Sequence, residues 1–193
     1  LQRDLSHTSK NLKEFVEKLS ELPLKHAPGT HFEYSLSTDV LARLIEVVSG
    51  ERFDRYLRKN IFDPLGMNDT SFVVPRNERD RLATMYSDDG TGKLILTDPA
   101  KNTHFTDDSL LFFSGGGGLC STIDDYAKFA KMLMARGRTP EGVRIIGTAT
   151  LQKMYTDQLV GIEKPKAGPI TDRAPWHAEN FRFGLGFSIG QTK

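Results

Sequence analysis

A helical repeat of apolar residues between residues 37 and 63 is the feature that most limits the fold. Apolar side chains recur there every three to four residues, and Gly50 divides the run into two parts. Gly50 occupies the place of a left-handed C-terminal cap, and Pro64 is expected to stop the second part. The sequence therefore predicts two consecutive helices.

Further helices are predicted on either side of this pair. Ser9 is expected to cap a helix that Pro23 closes. Ser121 and Thr122 are each followed by an acid three residues later, which predicts a capped helix ending at Gly137. One clean apolar face is expected on that helix, made by Ile123, Tyr126, Ala127, Ala130, Leu133 and Met134. A shorter helix is expected from residue 148.

Strand patterns occur in two places. Residues 83–86 and 93–97 flank the turn-forming stretch 88–92, which predicts a hairpin. Residues 181–190 alternate apolar with polar or glycine residues, which predicts one strand with a single buried face. That strand has no partner nearby in the sequence, so the sheet it joins is expected to lie in chain outside these 193 residues.

Composition excludes several classes of function. The 26 basic and 25 acidic residues are mixed rather than blocked, so neither a nucleic acid nor an anionic membrane surface is indicated. Apolar runs fall far short of the roughly 18 residues that a membrane span needs. The single cysteine rules out an internal disulfide framework and a cysteine-based zinc site. The start of the chain has neither Met nor a leader-like pattern, so the natural N-terminus is expected to be missing.

Several common catalytic and binding motifs are absent from the sequence or are not favoured by it. The glycines at 115–118 are not followed by Lys-Ser or Lys-Thr, so they do not form a phosphate loop. No G-x-S-x-G nucleophile elbow occurs, and the five histidines lack metal-ligand spacing. Cys120 precedes a predicted helix start and could be a nucleophile, but a small buried apolar residue is the favoured interpretation. We expect no metal and no organic cofactor.

Five segments in a fixed order resemble the serine β-lactamase and penicillin-binding-protein family. Residues 26–35 resemble the P-G-x-x-F-x-Y-S approach to its second catalytic motif, and 44–50 resemble the helix that follows. Residues 61–72 match the I-F-x-P-L-G-M-x-D-T-x-F signature at every fixed position. Residues 114–125 are similar to the family's glycine-rich turn, and 183–187 to its Y-G-L-G-F strand. The class C β-lactamases and family VIII carboxylesterases are the most similar branches.

The resemblance implies an α/β (α+β) fold of the β-lactamase/transpeptidase type. This chain is expected to hold mostly the helical subdomain, over residues 24–160, and one strand of the antiparallel central sheet, over 181–190. In this family the nucleophile is the serine of Ser-x-x-Lys, and no lysine here has a serine three residues before it. The nucleophile is therefore expected upstream and the third motif downstream of this chain, which alone should be inactive.

Tyr34 is the catalytic residue that the resemblance transfers by motif position. A free phenol has a pKa of about 10, so it needs a neighbouring positive charge to act as a base at neutral pH. The resemblance implies that the lysine of Ser-x-x-Lys supplies that charge, so that Tyr34 can take a proton from serine. The alternative is a structural tyrosine that anchors a loop on the next helix.

The residues after Tyr34 indicate the substrate class. Where the family usually has Tyr-x-Asn, this chain has Leu36, whose side chain can neither donate nor accept a hydrogen bond. This change favours a carboxylesterase over an efficient β-lactamase or DD-peptidase. Ser37 could replace the asparagine locally, but a helix cap is the simpler role. The resemblance also implies that Phe112, Phe113, Ser114 and Gly115 line the cleft and bind the substrate. For the two phenylalanines, packing in the core is an equal alternative.

Two functions stay open at this point. The first is a serine hydrolase that forms an acyl-enzyme on a small-molecule ester or β-lactam-like substrate. The second is a non-catalytic binding or scaffold module with the same fold, since fold alone does not set chemistry. The resemblance implies a bacterial cytoplasmic or periplasmic protein, and the sequence predicts no particular oligomeric state.

Overall fold

The computed structural model describes residues 5, 8–33, 36–99, 103–162 and 182–190. These belong to two compact units. The first contains residues 1–20 and 36–129, and the second contains 21–35 and 130–193. No helix among the described residues has both the length and the apolar character needed to span a membrane.

Helices supply most of the regular structure. They are α1 (Leu12–Ser20), α2 (Ser37–Ser49), α3 (Phe53–Leu57), α4 (Asp63–Leu65), α5 (Ile123–Met134) and α6 (Thr148–Met154). A π-helical turn, Arg58–Phe62, joins α3 to α4, and two short 3₁₀ turns occupy Arg76–Arg81 and His104–Thr106. Two small antiparallel hairpins complete the fold: β1 (Met85–Asp88) with β2 (Leu94–Asp98), and β3 (Arg182–Phe183) with β4 (Ser188–Ile189).

Aromatic side chains form the core of the first unit. The Phe72 ring packs against Phe113 at 5.2 Å and against Phe53 at 5.9 Å between ring centroids. Leu12 of α1 and Ala42 of α2 belong to the same buried cluster. Full burial of one such large apolar side chain contributes roughly 1.5–3 kcal/mol, so this cluster holds α1, α2 and α3 around residues 72 and 113.

The start of α1 differs from the prediction, which placed the cap on Ser9. The Asn11 side chain caps the helix instead, since its oxygen accepts the N–H of Glu14 at 3.0 Å. The Glu14 carboxylate in turn accepts the N–H of Lys10 at 3.0 Å. This reciprocal pair satisfies two N–H groups at the helix start. The Ser9 hydroxyl is buried and has no hydrogen bond with the described residues.

Helix α2 confirms its predicted C-terminal end but not its predicted cap. Gly50 has a φ of 70°, and its N–H bonds the carbonyl of Glu46, as the left-handed cap required. At the other end, Leu36 occupies the N-cap position and makes no side-chain cap bond. Ser37 is already the first helical residue. The capping role predicted for Ser37 is therefore wrong.

The second predicted helix ends within one residue of Pro64, as predicted, but it contains a π-helical turn that the pattern did not indicate. The chain passes through the π-helical turn and continues for one more short helix to Leu65, where Gly66 ends it with a φ of 64°. Proline has no N–H to donate, and its ring crowds the carbonyl four residues earlier in an α-helix. The helix accordingly extends only one residue past Pro64.

Helix α5 begins as predicted, because the Thr122 hydroxyl accepts the N–H of Asp125 at 3.3 Å. Gly137 beyond its end has a φ of 82°. The predicted apolar face is only partly buried: Leu133 is 8% exposed, whereas Ile123 is 90% and Met134 84% exposed. Spacing identifies an apolar side of a helix, but it does not show that a neighbour covers that side.

The first predicted hairpin is confirmed, since β1 and β2 pair antiparallel with Tyr86 opposite Leu96. The single strand predicted for 181–190 is wrong for the described residues 182–190. Gly186 has a φ of 87°, and the Gly184 N–H bonds the Phe187 carbonyl at 2.8 Å, so the chain reverses between β3 and β4. Alternating glycines imitate a strand pattern but also permit this turn. Membership of a larger central sheet stays a prediction.

Candidate functional site

The glycine-rich turn at 114–118 is bonded to the first turn of α2. The Ser114 hydroxyl donates to Asp39 Oδ1 at 2.6 Å, and the Gly116 N–H lies 3.3 Å from the same oxygen. The Ser114 oxygen also accepts the N–H groups of Gly116 and Gly117, each at 3.1 Å. Ser114 thus joins one carboxylate to two backbone amides and fixes the shape of the turn.

Close packing explains two of the four glycines. A Cβ on Gly115 would lie 2.2 Å from the Thr38 carbonyl oxygen and 2.7 Å from the Ala42 Cβ. A Cβ on Gly116 would lie 2.9 Å from the Thr38 hydroxyl. A Cβ on Gly117, in contrast, would meet nothing within 4 Å. The first two glycines therefore allow the backbone to contact α2 directly.

Asp39 is a site residue that sequence reasoning missed. Its side chain is 5% exposed, and no cation of the described residues lies within ion-pair distance of it. The N-terminal turn of a helix favours a negative charge because backbone N–H groups point toward it. Ser114 and Gly116 both donate to its Oδ1. An acidic residue in the first turn of a predicted helix is a signal that the sequence does show. Its partner Ser114, however, lies 75 residues further along the chain, so the sequence did not indicate the bond.

Tyr34, the predicted catalytic base, lies outside the described residues, as does Ser35. Its role stays a prediction. Leu36 is half-buried and directly precedes α2. The structure thus places Leu36, Ser114 and Gly115 in one unit, around the start of the helix that follows Tyr34 in the sequence.

The two phenylalanines before the turn pack into the core. Phe113 is 4% exposed, and the Arg52 guanidinium lies 4.8 Å from its ring centroid. Phe112 packs edge-on against Phe15 at 5.5 Å. Both therefore take the core-packing role that the sequence left open, and a substrate contact by either one stays a prediction.

A second buried carboxylate, Asp125, follows the glycine turn in the sequence and bonds residues 69 and 70. Asp125 is 2% exposed and accepts the Thr70 hydroxyl at 3.0 Å and the Asp69 N–H at 2.8 Å. Lys128 pairs with it at 2.8 Å. Burial pushes the pKa of Asp125 upward, but these bonds outweigh burial and leave the pKa below its ordinary value. The residues 61–72 are thereby tied to α5.

Cys120 pairs by its backbone with Ser71, with N–H to carbonyl bonds of 2.8 and 3.0 Å. Burial, and secondarily the charge of Asp98, raises the pKa of the Cys120 thiol. A thiol with a raised pKa is a poor nucleophile at neutral pH. This supports the interpretation as a small packing residue. Among the described residues, no group of three or more histidine, cysteine or acidic side chains could hold a metal ion.

Comparison with known proteins assigns the family. The family model described as Beta-lactamase matches residues 2–192. The chain therefore belongs to the Beta-lactamase family, and the predicted resemblance is confirmed.

Individual relatives agree with this assignment. Protein Rv1367c of Mycobacterium tuberculosis is 36% identical over 150 residues, which are 78% of this chain and 36% of that protein. Esterase EstB of Burkholderia gladioli is 29% identical over 145 residues, covering 68% of this chain and 36% of that protein. The chain thus spans about a third of the length of these curated relatives.

Solved structures show the same fold. The octameric penicillin-binding protein homologue from Pyrococcus abyssi aligns with a TM-score of 0.64 at 24% identity. The alignment covers 94% of this chain and 35% of that one. The predicted fold class is confirmed: helices with small antiparallel sheets, as part of a β-lactamase or penicillin-binding-protein fold.

Proposed function

We propose that the protein is a serine hydrolase that cleaves a small-molecule ester through an acyl-enzyme. Relatives in its family bear the names of esterases and of carboxypeptidases, so a hydrolase is the coarse class. The nucleophile would be a serine in a Ser-x-x-Lys motif, which this sequence does not contain. The proposal therefore concerns the longer protein of which this chain would be the middle part.

Leu36 is the observation that carries the choice of an ester. It occupies the place where an asparagine is usual in β-lactamases and directly precedes α2, whose start is bonded to the glycine turn. An amide side chain there can donate to the amide of a β-lactam, whereas a leucine offers only apolar contact. An ester has no such amide to satisfy. Weaker β-lactamase or DD-peptidase activity is compatible with the same machinery.

The proposed reaction has two steps. The serine hydroxyl attacks the ester carbonyl while Tyr34 takes its proton, and the alcohol leaves with a proton returned by Tyr34. Water then attacks the acyl-enzyme and releases the acid. Ser114 and Gly115 would line the substrate cleft, and the Asp39 carboxylate would hold their turn in place. No metal or organic cofactor takes part.

Hydrolysis of p-nitrophenyl butyrate by the full-length protein tests this proposal. Tyr34→Phe should lower kcat/KM by about 10²- to 10⁴-fold, the usual contribution of a general base. Tyr86→Phe is the matched control, because Tyr86 is 59% exposed on β1, and it should leave the rate unchanged. Turnover of the ester that survives Tyr34→Phe would contradict the proposed base.

The alternative is a non-catalytic module that retains the fold. The reading frame on both sides of this chain discriminates between the two, since the hydrolase requires Ser-x-x-Lys before residue 1 and a glycine-containing strand motif after residue 193. The chain of 193 residues should by itself not hydrolyse p-nitrophenyl butyrate. Turnover by this chain that Tyr34→Phe abolishes would show that the nucleophile lies within it.

A further inference from the structure

A cavity of about 400 Å³ opens in the first unit beside α3 and its π-helical turn. Its other walls come from residues 71–73 and from 108, 110 and 113. This volume falls within the range of roughly 300–1,000 Å³ that is typical of small-molecule sites. The cavity contains none of the residues proposed for hydrolysis except Phe113.

Three phenylalanine side chains lie at the floor of the cavity. Phe62, Phe72 and Phe113 all line it and are each no more than 5% exposed. The Arg52 guanidinium lies over the Phe113 ring and is fixed there by two bonds to the Asp54 carboxylate, at 2.6 and 2.7 Å. The cavity therefore has small, preformed aromatic patches at its floor, the half-buried Val73 and Leu110 on its wall, and a cationic rim.

Positive charge is concentrated on one face of the neighbouring helical segment. Arg58 and Lys59 follow Arg55 by three and four residues, so both lie beside Arg55 on the helical surface. Like charges at this spacing destabilise a helix rather than support it. Helical turns of the π type, such as Arg58–Phe62, frequently occur at functional sites. Both features indicate that this face has a role beyond helix stability.

The carboxylates around the cavity do not neutralise all of this charge. Lys59 pairs with Glu51, and Arg58 lies 3.6 Å from Asp63. Arg55 lines the cavity and has no ion pair with any carboxylate in the described part of the chain.

The remaining acidic residue that lines the cavity, Asp108, forms ion pairs with residues outside the cavity lining. It binds Arg76 at 2.6 Å and Arg79 at 2.5 Å. Arg76 first, and then Arg79, lower the pKa of Asp108, so its carboxylate stays ionised. Arg55 is thus the cation that remains available to a ligand at the rim.

We propose that this cavity binds a small monoanion with an apolar body, such as an aromatic carboxylate. A guanidinium presents a planar pair of donors that matches the two oxygens of a carboxylate. Arg55 would bind the anionic group while Val73, Leu110 and the accessible edges of the three phenylalanines contact the ring or chain. The site shares only Phe113 with the segment expected to line the substrate cleft and contains no residue given a step in the hydrolysis, so the proposal does not depend on the hydrolase activity.

Titration of the purified protein with naphthalene-2-carboxylate tests the site. Saturable binding is expected, and naphthalene-2-carboxamide, which has the same shape without the charge, should bind at least tenfold more weakly. Acetate, which keeps the charge but lacks the ring, should also bind at least tenfold more weakly. Isothermal titration calorimetry gives the three affinities with the unchanged protein, so this comparison does not depend on the folding of any variant.

Arg55→Gln should weaken naphthalene-2-carboxylate binding about tenfold or more and bring it close to that of the amide. Lys131→Gln is the matched control, because Lys131 is exposed on α5 and does not line the cavity, and it should change nothing. The proposal is wrong if the acid and its amide bind equally, if acetate binds as tightly as the naphthalene acid, or if no binding occurs. It is also wrong if a folded Arg55→Gln variant keeps the wild-type affinity.

Discussion

Asp39 and Asp125 are both buried carboxylates in the first unit, but they are satisfied in different ways. Asp125 has a cation, Lys128, together with a hydroxyl and a backbone N–H. Asp39 is bonded by a hydroxyl and a backbone N–H and has no cation partner among the described residues. A buried charge is costly unless its hydrogen bonds are complete. The comparison separates a carboxylate that ties two segments together from one that shapes a turn.

The location of each aspartate matches this difference. Asp125 connects α5 to residues 69 and 70, which lie within the 61–72 signature of the family. Asp39 connects α2 to the turn that begins at Ser114, where the substrate is expected. We therefore expect loss of Asp125 to affect mainly stability, and loss of Asp39 to affect the conformation of the turn as well. Variants of both aspartates and of the glycine turn separate the effect on stability from the effect on the turn.

The largest effect is expected for Asp125→Ala. Removing this carboxylate takes a hydrogen-bond partner from the Lys128 ammonium, the Thr70 hydroxyl and the Asp69 N–H, which should cost about 3 kcal/mol of unfolding free energy. Lys128 keeps its bond to the Gly66 carbonyl and Thr70 its bond to Ser121, so the Asp69 N–H is the group left without a partner. Urea unfolding followed by circular dichroism measures the change. The adjacent Asp124 is exposed, so Asp124→Ala should stay within about 0.5 kcal/mol. Equal losses in both variants would show that Asp125 does not tie the segments together.

Gly115→Ala should be the next most damaging change. The added methyl would lie 2.2 Å from the Thr38 carbonyl oxygen, so the turn must move away from α2, at a cost of about 2 kcal/mol. Gly117→Ala is the matched control, since nothing lies within 4 Å of its Cβ, and it should cost no more than about 1 kcal/mol. Thermal unfolding of the pair decides this point. Two equally stable variants would mean that the turn does not contact α2.

Asp39→Asn should have a smaller effect, of about 1 kcal/mol. The amide oxygen can still accept from Ser114 and Gly116, but it is a weaker acceptor than a carboxylate, and the negative charge favoured by the helix N-terminus is lost. Asp39→Leu removes the acceptor altogether and should cost more. Amide hydrogen exchange at Gly116 should accelerate in the leucine variant and much less in the asparagine variant. An asparagine variant as damaged as the leucine one would show that charge, not hydrogen bonding, holds the turn.

The pH dependence of Asp125 is the subtlest expectation. Its pKa in the folded protein is lowered, so its contribution to stability is full above the unfolded value of about 3.9 and disappears as the pH falls through the folded value. The difference in unfolding free energy between wild type and Asp125→Ala should thus narrow below pH 4. Chemical unfolding at pH 6 and pH 3 measures it. A difference that widens on acidification would reverse the assigned direction of the pKa shift.

Sequence reasoning succeeded where short-range chemistry decides the outcome. The cap at Gly50 and the helix start at Thr122 depend on residues within one turn of each other, so their patterns were sufficient. The hairpin of β1 and β2 was predictable because its turn residues lie between its strands. The same reasoning failed at Ser9, because the neighbouring Asn11 caps the helix instead.

The candidate site shows the same limit over a longer range. The sequence by itself determined the family, the helical segments and the importance of the glycine run, since these follow from local spacing and motif order. Only the tertiary structure showed that Gly115 lies against Thr38 and that Asp39 binds Ser114 across 75 residues. Such contacts depend on how distant segments pack, and neither residue type nor spacing specifies that packing.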